Sequence, residues 1–373
     1  MKETVLVRYG EISLKSEPVR EKFEKILVNN IHSTLEDIPH DIVQERGRIF
    51  VETQSSKKVA DELSNVPGIV SASPAKKTKS ETDKIKALAK EIAEKNFSDT
   101  GNFAVDARRT GDHPFSSKDI EEEAGSAILE IKPELEVELD RPKQKIYIEV
   151  RQENSYIFVE KIPGIGGLPV GCQGKTMNPY IGNIMNSTIS SFLLLKRGSP
   201  VYPLLFELNE DLKRSIEFLK DIHPNIKVAT IDAQEIDSKI SKICPDDYEE
   251  IVREKIFLEI SEKIAKKIDG EALISGKTPG KTSLKNIRLI EDEITIPVLH
   301  PLVGFNESLG KEIENRVKDR LDKQVGEKRE KIHSERVKQE KVNKLMEQIR
   351  NNISYKSIYE SLSIQKSEEI EWI

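Results

Sequence analysis

Pro163-Gly164-Ile165-Gly166-Gly167-Leu168-Pro169-Val170-Gly171 is the strongest punctuation in this chain, and the reading of the fold turns on it. Glycine and proline at that density end regular structure and mark a linker. On its carboxyl side strands alternate with helices. Ile184 to Lys196 reads as a helix, Val201 to Phe206 as a strand, Leu212 to Ile222 as a helix and Ile226 to Ile231 as a strand. Asp246 to Ile268 follows as a long helix and Glu271-Ala272-Leu273-Ile274-Ser275 as a strand. That alternation specifies a parallel α/β sheet.

The amino side reads differently. Val5-Leu6-Val7-Arg8-Tyr9 is β-rich and stops at Gly10. Phe23, Ile26, Leu27 and Ile31 recur at helical spacing, so Val19 to about Leu35 is an amphipathic helix. Asp41 to Glu52 holds two short strands around Arg46-Gly47-Arg48. After the break at Val66-Pro67-Gly68-Ile69 comes a helix, Ser80 to Lys95, and a strand, Asn102 to Ala107. A further helix opens near Ser117, a plausible N-cap. Lys145 to Val150 and Ser155 to Lys161 pair across Glu153-Asn154. Strands with helices on one face make an α+β half. The expected boundaries are 1–54, 55–165, 172–310 and 311–373. In the last segment Ile313, Val317, Leu321 and Val325 form a narrow stripe, so it reads as a charged helix docked by one edge.

Composition narrows the function. The chain has 373 residues, 36% apolar and 33% charged, enough for two or three domains at about 100–200 residues each. No apolar run approaches the roughly 20 residues of a membrane span, and the amino terminus lacks a signal-peptide core. Cys172 and Cys244 lie far apart and form no CxxC, so the expected compartment is a reducing cytoplasm. Six histidines show no metal spacing, and no metal is expected. The net charge of −6 excludes a global basic field, so nucleic-acid binding has to come from local patches.

Nucleotide and nucleophile motifs fail on inspection. Gly-Lys-Thr occurs at Gly174, Gly276 and Gly280, but a Walker loop needs a glycine five residues earlier, where Pro169, Glu271 and Ser275 stand. No catalytic residue is assigned. One basic loop ranks above ordinary surface charge. Arg108-Arg109 ends a strand and runs through His113 and Phe115 to Lys118 at a helix start. Guanidinium, imidazole, aromatic ring and helix N-terminus are all phosphate or base contacts. With Lys15, Arg46 and Arg48 these residues, Arg108, Arg109, His113 and Lys118, form the expected RNA-binding set.

Three stretches carry a family resemblance. Val7-Arg8-Tyr9-Gly10-Glu11-Ile12-Ser13-Leu14-Lys15-Ser16 resembles the RYGEIxLK signature of tRNA 4-thiouridine synthases of the ThiI type. Val66 to Ile69 and Phe103 to Lys118 resemble their THUMP domain, and Gly166 to Gly171 the junction into their pyrophosphatase-type (PP-loop) domain. The resemblance implies a ferredoxin-like N-terminal module, a THUMP domain, a parallel-sheet PP-loop-like domain and a helical extension. It also implies tRNA contact at the acceptor stem and 3′ end, and it admits a homodimer and a partner tRNA-modifying enzyme.

The second half departs from the family pattern. Ile181-Gly182-Asn183-Ile184-Met185-Asn186 stands where the family has SGGxDS. The family's nucleotide arginine falls near Lys255, and its TGExxGQxxSQTxxN stretch appears as Ser275 to Asn286 without glutamines. No cysteine follows Cys244 to match the sulfur-relay thiol, and no rhodanese-like tail is seen. The resemblance leaves Tyr180, Gly182, Asn183, Phe206, Lys255 and Gly276 as a vestigial nucleotide site. Side chains replace glycine where backbone must approach phosphate. The expectation is a tRNA-binding, non-catalytic or accessory factor without cofactor. Two readings compete with it: an active ATP- and Mg-dependent tRNA sulfurtransferase with an atypical loop and an external sulfur carrier, and a protein-interaction scaffold.

Overall fold

The computed structural model describes residues 3–45, 47–278, 282–304 and 337–370. The chain forms two compact units, Met1–Gly167 and Leu168–Ile373. In the first, β1 (Glu3–Tyr9), α1 (Glu17–Thr34), β2 (Asp41–Glu45), β3 (Arg48–Thr53), α2 (Ser56–Ser64) and β4 (Ile69–Lys79) lead into α3 (Thr82–Asn96), β5 (Gly101–Arg109), α4 (Ser117–Ile131), β6 (Leu135–Val137), β7 (Gln144–Val150), β8 (Asn154–Phe158) and β9 (Ile162–Pro163). The strands make one sheet in the order β2-β3-β1-β4-β8-β7-β5-β6, with β9 beside β4.

The eleven-residue β4 joins the two halves of that sheet. Its first part pairs with β1, Leu6 opposite Ser73, and its last residues pair with β8, Lys77 opposite Tyr156. The N-terminal module therefore takes in chain beyond residue 54, because β1 needs β4 as its second neighbour. At α4 the cap is Ser116 rather than Ser117. The Ser116 hydroxyl accepts from the Asp119 amide at 3.2 Å, and the Asp119 carboxylate accepts from the Ser116 amide at 2.8 Å. Ile85, Ala89, Ile120, Ala124 and Ile128 of α3 and α4 then bury against Phe103, Ile146, Ile148 and Ile157 of the sheet.

The expected linker is tied down on both sides. The Gly164 amide donates to the Val70 carbonyl at 2.8 Å within the first unit, and the Leu168 amide to Lys196 at 2.9 Å within the second. A Cβ on Gly164 would lie 2.2 Å from the Ile69 carbonyl oxygen, so only glycine fits there.

The second unit contains β10 (Lys175–Pro179), α5 (Ile184–Lys196), β11 (Val201–Leu205), α6 (Glu210–Ile222), β12 (Lys227–Thr230), α7 (Gln234–Ile243), α8 (Asp246–Lys267), β13 (Gly270–Ile274), α9 (Leu284–Glu291), β14 (Val298–Leu299), α10 (Gln339–Asn352), α11 (Tyr355–Glu360) and β15 (Ser363–Lys366). The sheet order is β14-β13-β10-β11-β12-β15, parallel except for β15. The helix α7, which the sequence reading passed over, buries Ile236 and Ile240.

The C-terminal segment departs from the all-helical expectation. Residues 305–336, with the Ile313 to Val325 stripe, lie outside the described ones. Beyond them α10 buries Val342, Leu345, Met346 and Ile349 in the main core of the unit, and β15 pairs antiparallel with β12. Four residues of alternating exposure suffice for an edge strand when a partner edge is waiting. Among the described residues no helix is long and apolar enough to cross a membrane.

If α10 is core rather than appendage, Met346→Ala should destabilise the second unit by about 2–5 kcal/mol in urea denaturation. A midpoint equal to wild type would show that the segment merely lies on the surface.

Candidate nucleic-acid interface and nucleotide crevice

The face of the first sheet opposite α3 and α4 carries a polar and aromatic cluster, assembled by strand alternation. The register sets Leu6 beside Phe50 and Ser73, Tyr156 beside Glu149, Phe158 beside Tyr147, and Arg108 beside Glu149. Phe50 and Tyr156 stack with centroids 4.3 Å apart. Their strands are three steps apart, about 14 Å in a flat sheet. The sheet is therefore strongly curled, concave on this face.

Glu149 sits inside the curl, only 8% exposed, and is met by three arginines. Arg8 donates to Oε1 from Nε at 3.0 Å and from Nη2 at 2.8 Å. Arg48 Nε reaches Oε2 at 3.1 Å, and Arg151 lies 3.5 Å away. Arg8 also donates to Ser73 Oγ at 3.0 Å and stands 4.9 Å from the Phe158 ring centroid. Burial alone would raise the Glu149 carboxyl, but Arg8 and Arg48 outweigh it and hold the group below the usual carboxylate range. Burial also lowers the Arg8 guanidinium, with Glu149 opposing.

Beside the cluster lies a cavity of about 180 Å³ whose lining includes Arg8, Arg108, Tyr147, Phe158 and Lys161. The Lys161 ammonium stands 3.6 Å from the Tyr147 ring centroid. Burial lowers the pKa of this ammonium, with Asp106 opposing. Cations and aromatic faces side by side are the chemistry that holds a phosphate and stacks a base.

The predicted RNA residues divide. Arg108 is 70% exposed and lines the cavity, 3.9 Å from Asp106. Lys118 is 80% exposed, and Lys15 is exposed after the short 3₁₀ turn Glu11–Leu14. Arg109 instead donates to the carbonyls of Gly111 and His113, at 3.3 and 3.4 Å, and so shapes its own loop. His113 stacks on Phe115 at 5.2 Å. The Arg48 guanidinium is engaged within the fold, held by Glu149 and by the Gly47 carbonyl at 2.7 Å. Arg46 lies outside the described residues. Arg8, Tyr147, Glu149, Phe158 and Lys161 escaped the sequence reading. Period-two alternation of Tyr147/Glu149 and Tyr156/Phe158 was the available signal.

In the second unit Tyr180 and Gly182 follow the carboxyl end of β10, Phe206 that of β11 and Gly276 that of β13, the edge at which parallel sheets receive ligands. Gly182 has φ +79°, and Asn183 caps α5 by accepting from the Asn186 amide at 2.9 Å. Tyr180 is half-buried, with its hydroxyl accepting from Ser215 at 3.3 Å, and desolvation pushes that hydroxyl up. Phe206 stacks on Phe257 at 4.0 Å and 7° and is 8% exposed, so its face is already covered. Lys255 is 2% exposed and donates to Asp292 and, at 3.0 Å, to the Leu289 carbonyl. Lys277 donates to both oxygens of Glu254, at 2.8 and 2.7 Å. A Cβ on Gly276 would lie 3.1 Å from Asn186 and the Ser187 amide, so the 275–278 loop rests on the first turn of α5. Lys281 lies outside the described residues.

The cysteines have ordinary surroundings. Burial first, with Glu249 assisting, pushes the Cys244 thiol up to about 11. Cys172 packs at Gly198, where a Cβ would lie 2.4 Å from its Sγ.

Comparison with known proteins agrees with this architecture. Family models for the ThiI ferredoxin-like domain, the THUMP domain and the thiamine biosynthesis protein (ThiI) match residues 4–73, 79–160 and 171–351. A "Probable tRNA sulfurtransferase" of Methanocaldococcus jannaschii is 32% identical over 328 residues, 82% of this chain and 86% of the relative. One from Thermococcus kodakarensis is 32% identical over 82% of this chain and 85% of its own length. A 4-thiouridine synthetase solved with RNA and bound ATP shares the fold, with TM-score 0.83 and 22% identity over 98% of this chain and 99% of that one. A crystal structure from Pyrococcus horikoshii has TM-score 0.69 and 30% identity over 84% of this chain and 99% of that one.

Neutralising the carboxylate should expose what it holds. Glu149→Gln leaves Arg8 and Arg48 without their counter-ion, which should cost on the order of 3 kcal/mol of first-unit stability at pH 7. The sign with pH follows from the lowered carboxyl. Its stabilisation is present above the ordinary value of 4.5 and is lost as pH falls through the lower folded value. Denaturant midpoints from pH 7 down to pH 3 should therefore fall more steeply in wild type than in the variant. Parallel slopes would remove Glu149 from this role.

Proposed function

Because the chain belongs to the ThiI family of tRNA sulfurtransferases, we propose that it binds tRNA through its first unit and serves tRNA modification without itself adenylating the nucleic acid. The proposed contact is the acceptor stem and 3′ end, and the partner is a tRNA-modifying enzyme. The observation that carries the non-catalytic part is the fate of the two crevice lysines. Lys255 is buried against Asp292 and the Leu289 carbonyl, and Lys277 is clasped by Glu254.

Magnitudes decide what this means for ATP. Pulling a buried ammonium away from its carboxylate costs about 3–5 kcal/mol. A millimolar ligand gains only about 4 kcal/mol on binding. A pyrophosphate that had to win Lys255 from Asp292 would therefore gain little or nothing. The rest of the crevice offers no compensation among the described residues. The loop has one left-handed glycine, Gly182, and Asn183 takes the Asn186 amide for its own cap. Phe206 presents no free face to a base. These residues do not fit an ATP pyrophosphate. Burial pushes the Cys244 thiol up, which disfavours the thiolate that a persulfide carrier needs.

The RNA part rests on Arg108, Lys118, Lys15 and the cavity edged by Lys161 and Tyr147. Contacts of this kind are salt-dependent because each displaces counter-ions from phosphate. Arg108→Ala should weaken tRNA binding by about 1–3 kcal/mol and, if the contact is to phosphate, reduce the salt slope by about 1. Unchanged affinity in a gel shift would remove Arg108 from the interface, and no tRNA binding at all would favour a protein scaffold.

The catalytic question has its own measurement. With tRNA and Mg-ATP present, ATP–pyrophosphate exchange should be absent and calorimetry should show no better than millimolar nucleotide affinity, about −4 kcal/mol. Micromolar affinity with tRNA-dependent pyrophosphate release would establish an active sulfurtransferase instead.

A further inference from the structure

Two histidines without recognisable spacing in the sequence meet in the first unit. His32 stands in the last turn of α1, and His40 just precedes β2. The chain reverses between them and brings His32 Nδ1 to 2.8 Å from His40 Nε2, with ring centroids 4.9 Å apart. His40 Nδ1 lies 2.7 Å from the Ile38 carbonyl oxygen. We infer that His32 and His40 form a two-imidazole site for a borderline divalent cation of the Zn(II), Ni(II) and Cu(II) class.

The argument begins with the protons. A carbonyl oxygen only accepts, so His40 carries its proton on Nδ1. In neutral His40 the Nε2 lone pair then points at His32. This is the arrangement that orients a metal-ligating histidine: one ring nitrogen donates to a backbone carbonyl and the other is left bare. In the metal-free pair His32 donates from Nδ1 to that lone pair. Moving the same proton to His32 Nε2, on the exposed side of the ring, leaves two lone pairs facing one gap. The exchange is a tautomer shift with no net proton released.

The distances allow the cation to enter. Zinc–imidazole bonds of about 2.0–2.1 Å at a tetrahedral angle require the two nitrogens about 3.3 Å apart. Opening from 2.8 Å calls for a shift of about half an ångström. His32 is exposed and borders an open groove of about 460 Å³, so the ring has room to move and water has room to complete the coordination. Among the described residues no group of three or more His, Cys, Asp or Glu could hold a metal. The site is therefore bidentate from the protein and exchangeable, and it selects nitrogen-preferring metals over Mg(II) and Ca(II), which take oxygen.

Calorimetry on the full chain with Cu(II), Ni(II), Zn(II) and Mg(II) tests the inference. One site is expected, tightest for Cu(II) in keeping with the Irving–Williams order, and none for Mg(II). His32→Gln and His40→Gln should each weaken it at least about tenfold, and His300→Gln should leave it unchanged. Zn(II) added to the wild-type protein should shift the imidazole nitrogen resonances of His32 and His40 and spare those of His223 and His300, a readout that needs no variant to fold. Absence of binding by all three transition metals at millimolar concentration would overturn the site. So would wild-type affinity in both glutamine variants, or resonance shifts confined to other histidines.

Discussion

One buried carboxylate organises the first unit. Glu149 lies on β7, yet it collects guanidinium groups from β1 and β3, which a flat sheet would hold well out of reach. The aromatic stack of Phe50 on Tyr156 spans the same curl, so apolar packing and ion pairing enforce one curvature. Neither works alone. Two arginines brought together without Glu149 would repel, and Glu149 without them would resist burial. The concave face that Arg108 and Lys161 border exists because this triad closes.

In the second unit the same kind of interaction has the opposite consequence. Lys277 follows the carboxyl end of β13, where such folds receive ligands, and pairs with Glu254; Lys255, in the middle of α8, pairs with Asp292. Each positive charge is met by a carboxylate from α8 or from the end of α9. The crevice satisfies itself, whereas the exposed Arg108 on the other unit still has donors to offer. The two units thus differ in how their cations are met: in carboxylate pairs in the second, and in part by solvent in the first.

Much of this was legible in the sequence, and the illegible parts share a physical cause. Helices such as α3 and α8 announced themselves through apolar spacing, and the glycine-proline run marked the division between the units, because these signals are local. The pairing of Arg48 with Glu149 escaped the sequence reading because the two are 101 residues apart, and an ion pair of that separation leaves no trace in spacing. The pairing of Lys255 went unread for the same reason, since Asp292 lies 37 residues on. The strand β15 was missed because Ser-Ile-Gln-Lys has no strong β signal of its own and is a strand only where β12 presents an edge. His32 and His40 lacked a metal motif because the spacing that brings them together is a turn rather than a helix period.

The pairing of β12 with β15 also has a temporal side. Residues 227–230 are made about 130 residues before the segment that covers them. At synthesis rates of roughly 5–20 residues per second, the interval is about 7–30 s. For that time the parallel sheet has an uncovered edge, the feature that invites pairing with another chain. A copy whose β12 edge is formed before β15 emerges therefore carries, for that interval, a hazard that the finished fold no longer shows.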